Sequence, residues 1–132
     1  MMLGSGIIAM SGLRKERKYI MKQVTVIHTA FDENPTVVAL VNVPEEFDTI
    51  DALEYAYRRT NNIEGSWSKG EFIEFNGDTF INGDYSENVT VMAPLPINNG
   101  VEYGLRSTSV GDEMIFEGKK FKVSSFGFKP AL

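Results

Sequence analysis

The stretch KQVTVIHTAFDENPTVVALVNV, residues 22–43, decides the fold. Its two halves, residues 22–31 and 36–43, are rich in valine, threonine and isoleucine, whose branched side chains favour β-strands. The quartet DENP between them consists of residues that commonly form turns. The stretch therefore predicts two strands joined as an antiparallel hairpin.

The stretch DTIDALEYAYRRTNN, residues 48–62, has the pattern of an amphipathic helix. Asp48 or Thr49 can act as its N-cap, and Asp51 places negative charge in the first turn, where the helix dipole favours it. Apolar side chains recur at spacings of three and four, which predicts one buried stripe. The residues of this stripe are Ile50, Leu53, Ala56 and Tyr57.

Short strands account for most of the remaining chain. Asn76-Gly77, within EFIEFNGDTFI, tolerates the positive φ angles of a type I′ turn and therefore predicts a hairpin. EMIF (113–116) and KKFKV (119–123), separated by Glu117-Gly118, predict another. The phenylalanines are spread over these strands, as in a core. We expect an α+β fold in which one main helix packs on a mostly antiparallel sheet that can curl into a small barrel.

The length of 132 residues indicates a single domain, which we expect over residues 21–132. Residues 1–20 are interpreted as a disordered extension or as a stretch translated from upstream of a start at Met21. A basic peptide arm is the alternative, because four of these residues are lysine or arginine. No stretch reaches the ~20 apolar residues that a membrane span requires, so we expect a cytoplasmic protein with no membrane association.

The net charge of −5 and the absence of cysteine exclude or disfavour several activities. From Met21 onward, nine basic residues stand against seventeen acidic ones. Such a surface repels a phosphate backbone, which disfavours general nucleic-acid binding. Without cysteine, the chain has no thiol catalysis, no disulfide and no cysteine-type zinc site.

No constellation of catalytic or metal-binding residues is found in the sequence. His28 is the only histidine and is interpreted as a half-buried residue of the first strand, since no HxxxH, HxH or GxSxG pattern accompanies it. The polar residues of 78–87 lack the spacing of an EF-hand loop. We therefore predict no catalytic residue, no metal and no cofactor, and a protein that is not an enzyme.

The segment RSTSVGD, residues 106–112, and the single tryptophan, Trp67, are the candidate binding elements. In a structural interpretation, the three hydroxyls bond to nearby backbone, Arg106 pairs with a carboxylate, and Val110 anchors the turn in the core. In a functional interpretation, Arg106 and the hydroxyls form a cradle for an anion or phosphate. The candidate ligand- or partner-binding residues are Trp67, Arg106, Ser107, Thr108, Ser109 and Asp112.

Trp67 has the same two interpretations. It lies in a polar loop, IEGSWSKG (63–70), among glycine and serine residues. It can pack onto the sheet as a lid, or it can be an exposed anchor that binds a partner or stacks on a base.

The order of these motifs resembles that of a group of small proteins encoded by phages and mobile elements, whose pattern is LExA(Y/F)RxTN, a tryptophan, RSTSVGD and a terminal Gly-Phe. A weaker similarity extends to YodL-like domains. The resemblance covers residues from about 51 to 128 and implies an origin but no activity. Here residues 69–87 intervene between the tryptophan and the next strand of the pattern. The matching pieces are Leu53-Glu54, Ala56-Tyr57-Arg58, Thr60-Asn61-Asn62, Trp67, residues 106–112 and Phe126-Gly127-Phe128.

The functional expectation is a non-enzymatic protein of phage or mobile-element origin that binds a host or phage macromolecule, with a protein as the expected partner. It would act as a takeover, anti-defence or regulatory factor. The first alternative is a small-barrel module that binds a nucleotide or another phosphorylated small ligand through Trp67 and residues 106–109. The second is an uncharacterised hydrolase, for which the sequence offers no assembled set of residues.

Overall fold

Ten strands and one helix make up the part of the chain that the computed structural model describes, residues 21–131. The interpretations of residues 1–20 lie outside this range. The elements are β1 (Met21–His28), β2 (Thr36–Pro44), α1 (Thr49–Arg59), β3 (Phe72–Phe75), β4 (Asp78–Ile81), β5 (Val89–Val91), β6 (Ile97–Asn98), β7 (Val101–Glu102), β8 (Glu113–Phe116), β9 (Lys119–Ser124) and β10 (Gly127–Pro130).

Six strands form the main sheet in the order β10-β9-β8-β1-β2-β5, and every neighbouring pair is antiparallel. The predicted α+β class and the hairpin over 22–43 are confirmed. The expected barrel is wrong, because β10 and β5 lie at opposite edges of an open sheet. β5 has only three residues, and β10 ends in Pro130, which has no N–H to donate. Neither edge offers a ladder long enough to close the sheet.

Helix α1 begins after Asp48, whose side chain accepts a hydrogen bond from the Asp51 N–H at 2.8 Å. Of the two N-cap candidates in the sequence, Asp48 and Thr49, the structure therefore selects Asp48. Leu53 and Ala56 of the predicted stripe are buried, but Ile50 is 53% exposed, so its assignment to the stripe is wrong. At 3.6 residues per turn, Ile50 points roughly a third of a turn away from the face that the helix buries. Ala52, which the pattern did not include, is buried on that face.

The core lies between α1 and one face of the central strands. Val24 of β1 stands opposite Val41 of β2 and Phe116 of β8. The next residue on the same face, Val26, stands opposite Met114 of β8. All five of these side chains are buried, and burying each one stabilises the fold by about 1.5–3 kcal/mol. The period-2 alternation of β1 therefore fixes the register of the sheet centre.

Two small hairpins stand outside the main sheet, β3–β4 and β6–β7. The predicted Asn76-Gly77 turn joins the first, with φ angles of 54° and 83°. Asn99-Gly100 joins the second with similar angles, 54° and 77°. Both are the left-handed pairs that a type I′ turn requires. No helix within residues 21–131 is long and apolar enough to cross a membrane.

Candidate functional site

Asp112 is the centre of the RSTSVGD segment, and its side chain is fully buried. Its Oδ1 accepts hydrogen bonds from the Thr29 and Ala30 N–H groups, which follow the end of β1, both at 2.8 Å. Its Oδ2 accepts a third from the Ser109 N–H, also at 2.8 Å. Arg106 donates to both oxygens, to Oδ2 at 2.8 Å and to Oδ1 at 2.9 Å. The carboxylate thus joins the end of β1 to the segment that precedes β8.

These contacts keep Asp112 ionised. Burial acts to raise the pKa of its carboxyl, but the bond from Arg106 and the three backbone N–H groups outweigh burial and lower the pKa to about 2. Bonding to Asp112 in turn raises the pKa of Arg106 above its usual value, against the smaller opposing effect of burial. A buried carboxylate and a guanidinium in bidentate contact are both held in their charged forms.

The outer side of the Arg106 guanidinium is also occupied. It donates to Asp32 at 3.0 Å, and its central carbon lies 5.0 Å from the centre of the Phe31 ring. A further donation reaches the Ser107 carbonyl. The side chain remains 30% exposed, yet both terminal nitrogens of the guanidinium donate to groups of the protein itself.

Thr108 lies between a strand and the helix, and its side chain is buried. Its hydroxyl donates to the Thr60 hydroxyl at 2.8 Å, and the Thr60 hydroxyl donates to the Ala56 carbonyl at 2.8 Å. Thr108 must therefore accept from His28 Nε2, which lies 2.9 Å away, because its only hydroxyl proton is used. His28, expected to be half-buried, is buried with its proton on Nε2.

This arrangement differs from a catalytic triad. The Asp112 carboxylate lies 4.0 Å from the same nitrogen of His28 that meets Thr108, and not next to the other nitrogen. In a triad, the base takes a proton from the nucleophile on one ring nitrogen and is oriented by a carboxylate on the other. Thr108 is also buried, so no substrate reaches its hydroxyl.

Trp67 is 2% exposed, which agrees with the packing interpretation and leaves no free face for a base. Its indole N–H donates to the Arg106 carbonyl at 2.9 Å, and its ring meets the His28 ring edge-on. Ser107 accepts a bond from the Asn62 N–H at the end of the helix. The six candidate residues are thus close together, with Trp67, Thr108 and Asp112 buried.

Val110 does not anchor the turn in the core, since its side chain is 53% exposed. The turn runs from Ser109 to Asp112, whose N–H donates to the Ser109 carbonyl, and Gly111 has a φ of 99°. Because Asp112 turns inward to reach the end of β1, Val110 is left on the outside. The carboxylate and its five donors replace the apolar anchor that the sequence predicted.

Residues 69–87 attach directly to the Trp67 loop. Asn82 is buried, and its amide nitrogen donates to the Ser66 and Gly70 carbonyls at 2.7 and 2.8 Å. Its amide oxygen accepts from the Ser66 N–H at 3.0 Å. Asp84 accepts from the Ile63 and Glu64 N–H groups. The hairpin β3–β4 therefore extends from the same network that holds Trp67 and Arg106.

A surface that the sequence did not predict lies on the two small hairpins and their connections. We call it the hairpin surface, and it is formed by the exposed large apolar residues Phe72, Phe75, Phe80, Ile81, Tyr85, Met92, Ile97, Val101 and Tyr103. The expectation that the phenylalanines of this stretch lie in the core is wrong. One signal was present, because FIEF and DTFI carry apolar residues on both sides of a strand in a chain with one main sheet to bury them.

The hairpin surface belongs to an acidic part of the chain. Residues 69–103 contain six acidic residues and a single basic one, Lys69. Within residues 21–131, no three histidine, aspartate or glutamate side chains converge on a point that could hold a metal ion. The acidic residues are interspersed with the apolar ones along residues 69–103 and do not form a ligand cage, and we call them the acidic border. They are Glu71, Glu74, Asp78, Asp84, Glu87 and Glu102.

Two of the open hollows differ in the elements that line them. A cleft of about 530 Å³ separates α1 from the turn between β9 and β10, with Tyr57 and Phe128 in its lining. Phe126, at the tip of that turn, is 99% exposed. A groove of about 410 Å³ separates β3 from β7 within the hairpin surface.

The chain matches no protein-family model, no curated protein and no solved structure. The resemblance to phage and mobile-element proteins therefore stays a prediction.

Proposed function

We propose that this protein is a non-enzymatic binding protein, and that the hairpin surface binds a protein partner whose apolar patch is bordered by lysine and arginine. The observation that carries the proposal is the concentration of nine exposed large apolar side chains within residues 72–103. Exposed apolar residues that are scattered singly need no explanation, but here they are concentrated on both faces of β3–β4, with Phe72 opposite Ile81 on one face and Phe80 on the other, which indicates an interaction surface.

The composition of the hairpin surface is that of an interface. Three phenylalanines, two tyrosines and a methionine are among its residues, and these types are enriched where proteins bind one another. A large aromatic side chain supplies much contact area for little loss of rotamer freedom. The six acidic residues around it correspond to a polar rim.

Charge selects the partner. The acidic border attracts lysine and arginine and repels both nucleic-acid phosphates and an identical acidic surface on a second copy. A basic, apolar protein face is the complement that satisfies both properties of the hairpin surface. Like-charge contacts across an interface cost several kcal/mol, so the same border discriminates against acidic proteins.

The alternatives have less support from the contacts. The phosphate cradle requires free donors on Arg106, but that guanidinium bonds to Asp112, Asp32 and the Ser107 carbonyl. A hydrolase requires an accessible nucleophile next to His28, and the hydroxyl beside it belongs to buried Thr108. The resemblance described above adds the expected setting, the cytoplasm of a host cell, and a role as a takeover, anti-defence or regulatory factor.

The test uses a photo-crosslinking amino acid placed at Phe75 in the hairpin surface and, separately, at Phe126 in the turn between β9 and β10. Each version is irradiated in a bacterial lysate. A protein crosslinked only from position 75 is then purified and its affinity measured directly. Capture of a protein is not by itself the expected result. We expect the crosslinked protein to have a basic and apolar surface at the site of the crosslink.

Affinity measurements with point variants decide the outcome. Phe75→Ser is expected to raise the Kd about tenfold or more, equivalent to about 1.4 kcal/mol, because the partner loses an aromatic side chain that it would bury on binding. Glu74→Lys should also weaken binding, and the loss of affinity should be larger at low salt than at high salt. The matched control, Phe126→Ser, should change the Kd by less than about twofold. Equal effects of Phe75→Ser and Phe126→Ser, or a partner with an acidic face, would contradict the proposal.

A further inference from the structure

The groove of about 410 Å³ is bounded by the edges of two strands and not by their faces. Its lining includes three consecutive residues of β3, Phe72, Ile73 and Glu74, and both residues of β7, Val101 and Glu102. Consecutive side chains in a strand point to opposite faces, so they line one groove together only when the strand turns its edge toward it. The lining includes no residue of β4 or β6.

The hydrogen-bond alternation of the first hairpin identifies the free groups on the β3 edge. The two-residue turn is closed by the Phe75–Asp78 pair, and residues of an antiparallel pair alternate between bonded and unbonded positions. Glu74 and Phe72 occupy the unbonded positions, so their N–H and C=O groups point away from β4. The bond from the Asn82 N–H to the Glu71 carbonyl continues this alternation.

The same reasoning identifies Glu102 on β7. The turn is closed by the Asn98–Val101 pair, and the Tyr103 N–H donates to the Pro96 carbonyl at 2.8 Å. Glu102 lies between these bonded positions, so its N–H and C=O point away from β6. The Lys69 ammonium donates to this carbonyl at 3.0 Å, which shows that the outward acceptor is accessible to a donor.

We propose that the groove receives an extended segment of the partner as an added strand between β3 and β7, with lysine or arginine among its side chains. This inference rests on the proposed function and specifies how the partner binds. An added strand would bond to the Phe72 and Glu74 edge on one side and to the Glu102 edge on the other. It would join two hairpins that are separate in the described chain into one sheet.

The side chains around the groove define the sequence of such a segment. Phe72, Leu95 and Val101 give it apolar walls, while Glu74 and Glu102 add two carboxylates. Phe72 and Glu74 lie two residues apart on one face of β3, so the residues of an added segment that stand beside them are also two residues apart on one face. A segment that carries an apolar residue and a basic residue two positions apart therefore fits the groove best.

The experiment selects yeast-displayed peptides of eight positions, each drawn from lysine, arginine, valine, isoleucine and phenylalanine, so that an apolar and a basic residue can stand two positions apart. Glu74→Pro removes the outward N–H of β3 but no bond between β3 and β4, and should raise the Kd of a selected peptide about tenfold or more. Thr79→Pro makes the same change on the outer edge of β4, away from the groove, and should alter the Kd by less than about threefold. Lys69→Met frees the Glu102 carbonyl and removes a repelling charge, so it should tighten binding.

A second measurement leaves the protein unchanged. Methylation of alternate backbone nitrogens of the peptide should weaken binding in both possible frames but more strongly in one, because one set of N–H groups faces the outward carbonyls of Phe72 and Glu74 and the other set faces only that of Glu102. Recovery of no peptide, equal effects of the two proline variants, or equal effects of both methylated frames would overturn strand addition. If Phe75→Ser weakens the binding of a purified partner while Glu74→Pro does not, the proposal that the hairpin surface binds a protein is supported and the proposal of strand addition is overturned.

Discussion

The Arg106 guanidinium donates to both carboxylate oxygens of Asp112, at 2.8 and 2.9 Å, and only the guanidinium reaches solvent. This pair also holds the chain at the end of β1, since Asp112 accepts hydrogen bonds from the Thr29 and Ala30 N–H groups that follow that strand. The Arg106 carbonyl accepts from the Trp67 indole, so the pair also positions the loop from which the hairpin surface extends. The polar segment RSTSVGD therefore contacts the loop that leads into the hairpin β3–β4.

The first prediction concerns the stability that this pair supplies. Asp112→Asn should lower the free energy of unfolding by about 3–5 kcal/mol, because it leaves a partly buried guanidinium and three backbone N–H groups without their carboxylate. Asp32→Asn removes the other, exposed partner of Arg106 and should cost about 0–1 kcal/mol. Urea denaturation followed by tryptophan fluorescence measures both. Similar losses in the two variants would show that burial of Asp112 contributes nothing.

The second prediction is the acid dependence of stability. The pKa of Asp112 is lowered from its ordinary 3.8 to about 2 in the folded chain, so the unfolded state binds its proton first as pH falls. The stabilisation is fully present above the unfolded pKa and is lost as pH falls toward about 2. It corresponds to about 2 kcal/mol. The difference in unfolding free energy between wild type and Asp112→Asn should narrow over this range, and a constant difference would contradict it.

The third prediction concerns His28 near neutral pH. Burial lowers the pKa of this histidine below 6.5, and Arg106 lowers it further, while Asp112 and Asp32 partly oppose them. The unfolded chain then takes up the proton more readily, so stability is greatest above the unfolded pKa and decreases as pH falls through 6.5. His28→Gln keeps a side-chain donor for Thr108 and removes this titration. Chemical denaturation of both proteins across this range should show a pH slope in the wild type that the variant lacks.

The parts of the fold that the sequence predicted depend on local patterns. The alternation of β1, the Asp48 cap and the Asn76-Gly77 turn are each set within a few residues. The open sheet and the inward turn of Asp112 are set by distant partners. Asp112 accepts a hydrogen bond from the Thr29 N–H, which is 83 positions away in the sequence. No local pattern around Asp112 indicates that backbone donors lie next to its side chain.

The candidate site shows the same division. Trp67 and residues 106–112 were singled out from the sequence, and they lie together in the structure. The hairpin surface was missed because FIEF and DTFI have the composition of buried strands. Whether a strand is covered depends on which elements remain to pack against it, and α1 covers the face formed by β1, β2 and β8 instead.

The fourth prediction tests how the hairpin surface is attached. A Cβ added at Gly65 would overlap the amide oxygen of Asn82, the residue that ties β4 to the Trp67 loop. Gly65→Ala should therefore destabilise the fold by about 1–3 kcal/mol, because it breaks buried hydrogen bonds, and should also weaken partner binding. At Gly70 an added Cβ meets no atom within 4 Å, so Gly70→Ala is the matched control. Equal melting temperatures for the two variants would show that Asn82 adapts at no cost.

The last prediction compares two hairpins that share turn chemistry but differ in burial. β8–β9 turns at Glu117-Gly118 and lies within the main sheet, whereas β3–β4 turns at Asn76-Gly77 and pairs with no other strand of residues 21–131. An isolated two-stranded hairpin is at best marginally stable in water. The amides of β3–β4 should therefore exchange by local opening, at a rate that denaturant barely changes. The amides of β8 should exchange only when a larger part of the fold unfolds.

Native-state hydrogen exchange followed by NMR measures this difference residue by residue. Addition of a selected basic peptide should slow exchange in β3–β4 by a factor of about one plus the ratio of peptide concentration to Kd, because the bound state must release the peptide before it opens. The amides of β8 should be unaffected at the same peptide concentration. Equal protection of both hairpins in the free protein would contradict the prediction, since it would mean that β3–β4 is stabilised by contacts equivalent to those of the main sheet.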